Sequence, residues 1–246
     1  WANRGRALGW PTSLDGLIAR WCPESIESNG SYMTWSDVSG NGYHINKSSS
    51  FPTLAVGLLN RNCLECSASD LRADVLPKHL INGLTQFAFF AVIKTPASAQ
   101  SLQSFFGGSS FGGTTTNMFN VELNSGSYPC QFLMRNEWGD DAANSATSTL
   151  TAASSVAAST WYSLLFNFDG TNIQAYLNGV SSGSSTTPAG RNRLYHVAGL
   201  KMFGTNYAGG NFWWQGSMHE VALFGKGLTS GQRTDLFAYS LQGYGL

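Results

Sequence analysis

The chain has 246 residues, a length that a single all-β sandwich can reach without dividing into two domains. Only 11% of the residues are charged, and 14 basic residues balance 14 acidic ones, so no net charge attracts a polyanion. This composition argues against nucleic-acid binding and against a polybasic membrane contact. No apolar run approaches the ~20 residues of a membrane-spanning helix, so membrane insertion is not expected.

The first part of the chain predicts an arm followed by one domain. Residues 1–13 read as an extended N-terminal arm, and residues 14–246 show no credible domain boundary or internal repeat. Residues 35–44 form a turn-rich segment, in which Asp37 is suited to hold the Ser39-Gly-Asn-Gly turn through bonds to its backbone. The four cysteines predict buried or free thiols, with one disulfide or a metal site as open alternatives: Cys22, Cys63, Cys66 and Cys130.

The middle of the chain reads as strands separated by Gly-rich turns. Phe87–Lys94 is a dense apolar run that suits a central strand. In residues 117–123, Met118 and Asn120 are predicted on one face and Phe119, Val121 and Leu123 on the other. Further strands are predicted over 103–106, 131–135, 194–204 and 212–224. Many short strands of this kind favour a sandwich.

Residues 161–179 carry the clearest period-two pattern. From Trp161 to Phe168, successive side chains are predicted to point to opposite faces of the strand. One face carries Tyr162, Leu164, Phe166 and Phe168, and the other carries Trp161, Ser163, Leu165 and Asn167. The Asp169-Gly170 and Asn178-Gly179 dipeptides have the chemistry of hairpin turns. The pattern predicts an antiparallel hairpin followed by a further strand.

One C-terminal helix is predicted. Thr229 and Gln232 have the spacing of a capping box, in which each side chain satisfies a free backbone donor of the first turn. Phe237, Leu241 and Tyr244 then follow at helical spacing and predict the face that packs on the domain. A helical turn is also indicated over 80–84. The pattern therefore predicts an all-β fold, a sandwich or jelly roll, with a short C-terminal helix.

Five segments in order resemble the laminin-G-like, concanavalin A-like lectin and glucanase jelly-roll family. The resemblance covers about residues 14–246, and it rests on WSDVSGNGYH (35–44), NRNCLECSASDL (60–71), the hairpin at 161–179, GSMHEVALF (216–224) and the terminal helix at 228–245. It implies two curved antiparallel sheets packed face to face, that is, an antiparallel two-sheet jelly-roll sandwich, and it makes Glu220 a structural residue. Alternation along 216–224 places Glu220 on the same face as Met218 and Ala222. Members of the family bind glycans, mediate adhesion, accompany polysaccharide-degrading enzymes or decorate virus particles, so function has to be argued from the site.

Aromatic residues in loops are the strongest candidates for ligand contact, because glycan-binding proteins stack sugars on Trp or Tyr and hold hydroxyls with polar groups. Trp138 lies in a polar loop, and Tyr207 and Trp213 flank a Gly-rich turn. Since Trp213 and Trp214 are adjacent, one of them faces outward if both lie on a strand, although both could line a core or an interface. The predicted ligand-binding set is Trp138, Asp140, Asp141, Tyr207, Asn211 and Trp213.

The acidic residues do not form a recognisable catalytic pattern. No Glu-x-Asp-x-x-Glu motif is present, Asp169 suits a turn, and the nearest cluster is Glu137-Trp-Gly-Asp140-Asp141. The histidines are scattered and predict no catalytic triad, so they are expected to be at the surface or hydrogen-bonded. The family often carries one calcium ion, for which the available loop acids are Asp37, Asp140 and Asp141.

We therefore predict a non-enzymatic, surface-displayed recognition or adhesion module that binds a glycan or surface polysaccharide and requires no cofactor, with Ca²⁺ as an optional ion. Its expected location is extracellular or on a virion surface. Two alternatives stay open. One is a virion decoration or tail protein that contacts other virion or cell-surface subunits, and the other is a polysaccharide hydrolase or lyase.

Overall fold

The computed structural model describes residues 9–66, 73–76, 81, 83–98, 103–108, 119–123, 130–135, 145–149, 156–186, 200–207 and 210–246. These residues are mostly β-strands. The first nine are β1 Leu17–Ser28, β2 Met33–Asp37, β3 Ile45–Lys47, β4 Thr53–Val56, β5 Asn62–Glu65, β6 Ala73–Leu76, β7 Phe87–Lys94, β8 Gln103–Gly108 and β9 Phe119–Leu123. The next nine are β10 Cys130–Arg135, β11 Ser145–Thr149, β12 Trp161–Phe168, β13 Asn172–Leu177, β14 Val180–Thr186, β15 Leu200–Met202, β16 Gly204–Tyr207, β17 Gly210–Trp213 and β18 Ser217–Phe224. One 3₁₀ turn, Leu58–Asn60, and one helix, α1 Ser230–Tyr244, complete the described elements.

The strands form two large antiparallel sheets, as the jelly-roll prediction requires. The ten-stranded sheet runs β14-β13-β12-β7-β18-β1-β2-β3, with β5 also beside β18 and β4 beyond β5. The six-stranded sheet runs β11-β10-β9-β8-β15-β6, and β16 and β17 form a separate two-stranded hairpin. Non-sequential neighbours such as β7 and β18 are brought together by crossovers, so residues far apart in sequence share one sheet.

Two apolar layers hold the molecule together. The larger lies between the two sheets and contains the fully buried Trp21, Trp35, Phe89 and Phe106. The smaller lies between the outer face of the ten-stranded sheet and α1. Packing of an aromatic-rich interior on both faces of one sheet explains why Phe87–Lys94 is a continuous apolar run rather than an alternating one.

The predicted hairpin at 161–179 is confirmed, including its two faces. Strand β12 pairs with β13 from Leu164↔Leu177 to Phe168↔Ile173. Leu164, Phe166 and Ile173 enter the layer between the sheets, whereas Leu165 enters the layer under α1. The pleat makes this division, because successive side chains of a strand point to opposite faces.

One predicted strand was wrong in its extent. The strand predicted over 212–224 is interrupted, because β17 ends at Trp213 and β18 begins at Ser217. At the break, Gly216 lies against the carbonyl of Lys94 and the ring of Trp214, which leaves no room for a side chain. Residues 194–199 of the strand predicted over 194–204 lie outside the described residues.

The helix prediction is confirmed at its start and corrected on its packing face. Thr229 accepts from the backbone of Gln232, whose side chain accepts from the backbone N–H of Thr229, so the capping box is complete. Leu241, however, is 63% exposed. Tyr244 is buried as predicted, and Phe237 packs partly buried against the same layer. The rest of the buried helix face is formed by Leu236, Tyr239, Ser240 and Gly243.

Part of the predicted N-terminal arm packs on the domain. The Trp10 ring stacks on Phe224 at 6.3 Å and meets Tyr239 edge-on at 5.2 Å. Ser13 donates to the carboxylate of Asp235 at 2.5 Å. Residues 10–13 therefore belong to the folded layer over the ten-stranded sheet, and residues 1–8 lie outside the described residues.

Candidate functional site

The β16–β17 hairpin brings three of the predicted ligand-binding residues together. Its register pairs Asn206 with Asn211 and Tyr207 with Gly210, and Trp213 lies at the end of β17. Tyr207, Asn211 and Trp213 therefore lie on one two-stranded ribbon rather than on a loop. Trp138, Asp140 and Asp141 lie outside the described residues and stay predictions.

The hairpin is tied to strand β8 of the six-stranded sheet. The N–H of Trp214 donates to the carbonyl of Phe203 at 3.1 Å, and the N–H of Phe203 donates to the carbonyl of Phe105 at 3.0 Å. The side-chain oxygen of Gln103 accepts from the N–H of Gln215 at 3.0 Å. These bonds hold both the start and the end of the hairpin at a fixed place on the sheet.

Trp213 and Trp214 differ in burial, and Trp214 lies just beyond the end of β17. Trp214 is fully buried and packs on Phe105, with ring centroids 5.0 Å apart. Trp213 is half-buried, and its indole nitrogen is enclosed. A half-buried tryptophan on a fixed ribbon could serve as a platform on which the apolar face of a sugar stacks.

A polar row that the sequence did not reveal lies on the outer face of the six-stranded sheet. Ser104 on β8 donates to the side-chain oxygen of Asn120, and the Asn120 amide donates to the carboxylate of Glu122 on the same strand. All three side chains are fully buried. Alternation in β9 correctly predicted the opposite, apolar face through Val121 and Leu123, but it does not show that the polar face is closed to solvent.

Glu220 is enclosed under α1 in a network of donors. The Nε of Arg20 donates to one carboxylate oxygen at 2.7 Å, Tyr239 donates to the other at 2.8 Å, and the Tyr244 hydroxyl also donates to the second. The Arg20 guanidinium lies 4.0 Å from the Trp10 ring centroid. Burial alone would lower the pKa of Arg20, but the neighbouring Glu220 carboxylate raises it.

This network fits the structural role expected for Glu220, with one correction. Alternation predicted that Met218 and Glu220 share a face, and this is wrong. The pairing with β7 shifts between Met218↔Ile93 and Glu220↔Val92, so an extra residue, His219, is inserted at that point. Met218 consequently joins the layer between the sheets, whereas Glu220 faces the helix.

His219 is buried without a good hydrogen-bond partner. It has no exposed surface and meets the rings of Trp161 at 5.4 Å and Tyr244 at 5.0 Å. Neither ring nitrogen makes a well-aligned bond to a described residue, although the Leu58 backbone approaches the ring. Burial, assisted by the Arg61 cation, lowers the pKa of His219 to about 4. The expectation that the histidines are at the surface or hydrogen-bonded therefore fails for His219.

Asp37 organises a turn rather than presenting oxygens to a cation. Its carboxylate accepts from the backbone N–H groups of Arg20, Ser39 and Tyr43 at 2.8–3.0 Å, and from the Ser39 hydroxyl at 2.8 Å. Burial would raise the pKa of Asp37, but these donors hold it below its usual value. Donors that occupy both oxygens do not fit a calcium ligand. In the described ranges, no three His, Cys, Asp or Glu side chains meet in a group that could hold a metal.

Glu122 and Glu220 do not form a glycosidase pair. Glu122 and Glu220 lie on the outer faces of different sheets, and packed sheets are themselves about 10 Å apart. Their separation therefore exceeds the roughly 5–9.5 Å that acid-and-base or acid-and-nucleophile pairs need. Asp169 accepts from the N–H groups of Thr171 at 2.9 Å and Asn172 at 2.7 Å, which gives it a turn role. Glu137 lies outside the described residues.

Three thiols are free and buried: Cys22, Cys63 and Cys66. Burial raises the pKa of each of them, that of Cys63 to about 11. Cys66 enters the layer between the sheets. The Cys63–Cys66 spacing therefore forms neither a disulfide nor a metal site. These three residues agree with the prediction of buried or free thiols, and the side chain of Cys130 stays outside the description.

The two-sheet sandwich, the order of its strands and the helix over one face define a jelly roll of the lectin-like class. The chain belongs to the concanavalin A-like lectin/glucanases superfamily, whose family model matches residues 73–232. No curated protein sequence matches the chain. Across the described residues, no helix combines the length and apolar character that crossing a membrane requires.

Solved structures show the same fold at low sequence identity. The Ruminococcus gnavus IT-sialidase CBM40, bound to α2,3-sialyllactose, is 17% identical with a TM-score of 0.55, over 72% of this chain and 95% of that one. Domain 4 of AbnA, a GH43 extracellular arabinanase from Geobacillus stearothermophilus, is in complex with arabinotriose. It is 16% identical with a TM-score of 0.62, over 89% of this chain and 97% of that one.

A larger enzyme also contains a similar unit. The leech intramolecular trans-sialidase is 18% identical with a TM-score of 0.52, and the match covers 62% of this chain. The present chain spans only 23% of the length of that enzyme. The similarity is therefore to one part of the trans-sialidase, whereas it extends over nearly all of the two separate modules.

Proposed function

We propose that this protein is a non-catalytic glycan-binding module that acts outside the cell, and that its ligand stacks on Trp213 of the β16–β17 hairpin. The observation that carries the proposal is the half-buried Trp213 on a ribbon that is bonded at both ends to the six-stranded sheet. Glycan-binding sites combine such aromatic surfaces with a few polar groups on a rigid support. Tyr207 and Asn211 on the same ribbon, and Trp138, Asp140 and Asp141, complete the proposed set.

Membership of the lectin/glucanases superfamily supports a saccharide ligand, and the two similar separate modules carry sialyllactose and arabinotriose. One of these glycans is acidic and the other is neutral, so both belong in the first screen. The carboxylates of Glu220, Glu122 and Asp37 already accept hydrogen bonds from protein groups. This supports a binding function over a catalytic one. No observation among the described residues favours the virion alternative.

The test is a glycan array followed by calorimetric titration of the best ligand, with wild type and Trp213→Ala compared. Loss of the indole is expected to weaken binding about tenfold or more, since an aromatic contact contributes on the order of 1 kcal/mol beyond its buried area. Trp213→Phe should recover part of the affinity. Tyr32→Ala is the matched control, because Tyr32 is an exposed aromatic at 44% on the turn between β1 and β2.

Two outcomes would overturn the proposal. One is the absence of binding to every array glycan at high protein concentration. The other is an affinity that Trp213→Ala leaves unchanged. Incubation of the bound glycan with wild type, followed by a reducing-end assay, tests the non-catalytic part separately, and release of new reducing ends would refute it.

A further inference from the structure

Among the described residues, strand β4 lies at an edge of the ten-stranded sheet. It pairs with β5 alone, in unbroken antiparallel register from Thr53↔Glu65 to Val56↔Asn62. Its opposite edge has no strand partner among the described residues. Such an edge presents backbone N–H and C=O groups in the spacing that another strand needs.

The same hairpin concentrates exposed apolar side chains. Seven large apolar side chains in the described part of the chain are exposed, and three of them lie within residues 54–59. Leu54 is 40% exposed, Val56 is 70% exposed and Leu59 is 64% exposed. Isolated exposed apolar residues are ordinary, but three within six residues beside a free edge indicate a contact surface.

The edge lacks the features that usually prevent strand pairing. Thr53–Val56 contains no charged residue and no proline, and its pairing with β5 shows no bulge. Natural sheet edges are commonly blocked by charges, prolines or bulges. The chain also has a formal net charge of zero, so long-range repulsion between two copies is weak.

The turn after β4 is held rigidly. Leu59 and Asn60 both have left-handed backbone, with φ of 51° and 58°, which is costly for a leucine. Bonds across the turn fix it, from Gly57 N–H to the Arg61 carbonyl at 2.8 Å and from Arg61 N–H to the Leu58 carbonyl at 3.0 Å. Arg61 in turn pairs with Glu24 at 2.6 Å. Pairing at β4 would therefore require little ordering of the chain.

We propose that β4 pairs antiparallel with β4 of a second copy of this chain and forms a two-fold symmetric dimer. A second copy supplies the same short, uncharged strand across an antiparallel two-fold axis through β4, and the zero net charge of the chain leaves little repulsion between the two copies. Leu54 and Val56 are alternate residues, so the pairing sets them beside their counterparts in the other copy. This inference goes beyond the proposed glycan binding and does not depend on it.

The expected dimer is weak. Three apolar side chains per copy bury much less than the ~800 Å² per partner of a standard interface. Sedimentation equilibrium should therefore cover loadings from about 10 µM to about 1 mM, where a weak association becomes visible. Wild type is expected to pass from monomer towards dimer across this range.

The decisive variant is Val56→Lys, with Val180→Lys as its matched control. Val180 is 68% exposed and starts β14, so both substitutions place the same charge at an equally exposed valine. A lysine on the edge strand is expected to raise the protein concentration at half-dimerisation about tenfold or more, since edge lysines oppose strand pairing. In the control variant, this concentration should stay within about twofold of the wild-type value. Circular dichroism and thermal melts of both variants establish that they fold.

Several results would overturn the inference. A protein that stays monomeric at every loading has no such dimer. A dimer that persists in Val56→Lys but is lost in Val180→Lys uses the other patch. A dimer that is unaffected by either substitution uses neither surface. Dimerisation is read without any glycan present, so failure here and failure of Trp213-dependent binding are separate outcomes.

Discussion

Acid should weaken the fold through His219. The folded state holds a neutral imidazole, because burial lowers the pKa of His219 from its usual 6.5 to about 4. The unfolded chain regains the usual value, so below pH 6.5 it binds a proton that the folded state does not. His219 therefore imposes no penalty above pH 6.5, and a growing one as the pH falls towards 4.

The size of this penalty follows from the shift in pKa. One pKa unit corresponds to about 1.4 kcal/mol, so the full penalty approaches roughly 3 kcal/mol. About 1 kcal/mol of it should be present at pH 5.5, and roughly 2–3 kcal/mol at pH 4.5. That is a large part of the stability of an ordinary domain, which is typically about 5–15 kcal/mol.

The assay is urea unfolding of wild type and His219→Phe at pH 7.5, 6.5, 5.5 and 4.5. The phenyl ring keeps an aromatic side chain between Trp161 and Tyr244 but does not titrate. The wild type should lose stability relative to the variant as the pH falls. Subtracting the unfolding free energy of the variant from that of the wild type at each pH cancels the contributions of the other titrating groups. His219→Asn provides a second non-titrating variant in case Phe packs poorly. Parallel stability profiles for wild type and both variants would refute the assignment of a buried neutral imidazole.

Three further predictions use the same unfolding assay at pH 7.5. Glu220→Ala should cost about 3–5 kcal/mol, because it leaves Arg20 without its buried counter-charge, and a loss below about 1 kcal/mol would contradict the network. Leu236→Ala should cost about 2–5 kcal/mol while Leu241→Ala stays within about 0.5 kcal/mol, and equal losses would argue against the observed helix face. Asp37→Ala should cost about 2–4 kcal/mol, because several donors lose their acceptor, and an unchanged midpoint would show that the turn holds without it.

Local patterns predicted the parts of the fold that depend on neighbouring residues. The turn residues and both faces of the hairpin at 161–179 can be recognised within nineteen consecutive residues. The capping box of α1 can be recognised within four consecutive residues. The different burial of Trp213 and Trp214 was left open by the sequence, because alternation separates two neighbours only if both lie on a strand.

Long-range partners account for what the sequence did not reveal. Glu220 accepts a hydrogen bond from Arg20, which lies 200 positions away in the sequence. No rule based on sequence spacing connects the two residues. The inserted residue at His219 reverses the face of Met218, because a bulge depends on how β18 pairs with β7. Leu241 was assigned to the buried face because the i, i+4, i+7 pattern fits more than one helix rotation. The sheet beneath selects Leu236 and Tyr239 instead.

The three buried thiols can be used to detect partial opening of the fold. A thiol reagent can modify Cys66 only when the layer between the sheets becomes accessible, whereas Cys63 lies beside His219 near the β4–β5 hairpin. With Cys130 replaced by serine, comparison of labelling rates at Cys22, Cys63 and Cys66 would distinguish the release of one segment from unfolding of the whole domain. Because burial raises the pKa of all three thiols, the closed molecule should react slowly enough for rare opening events to be measured.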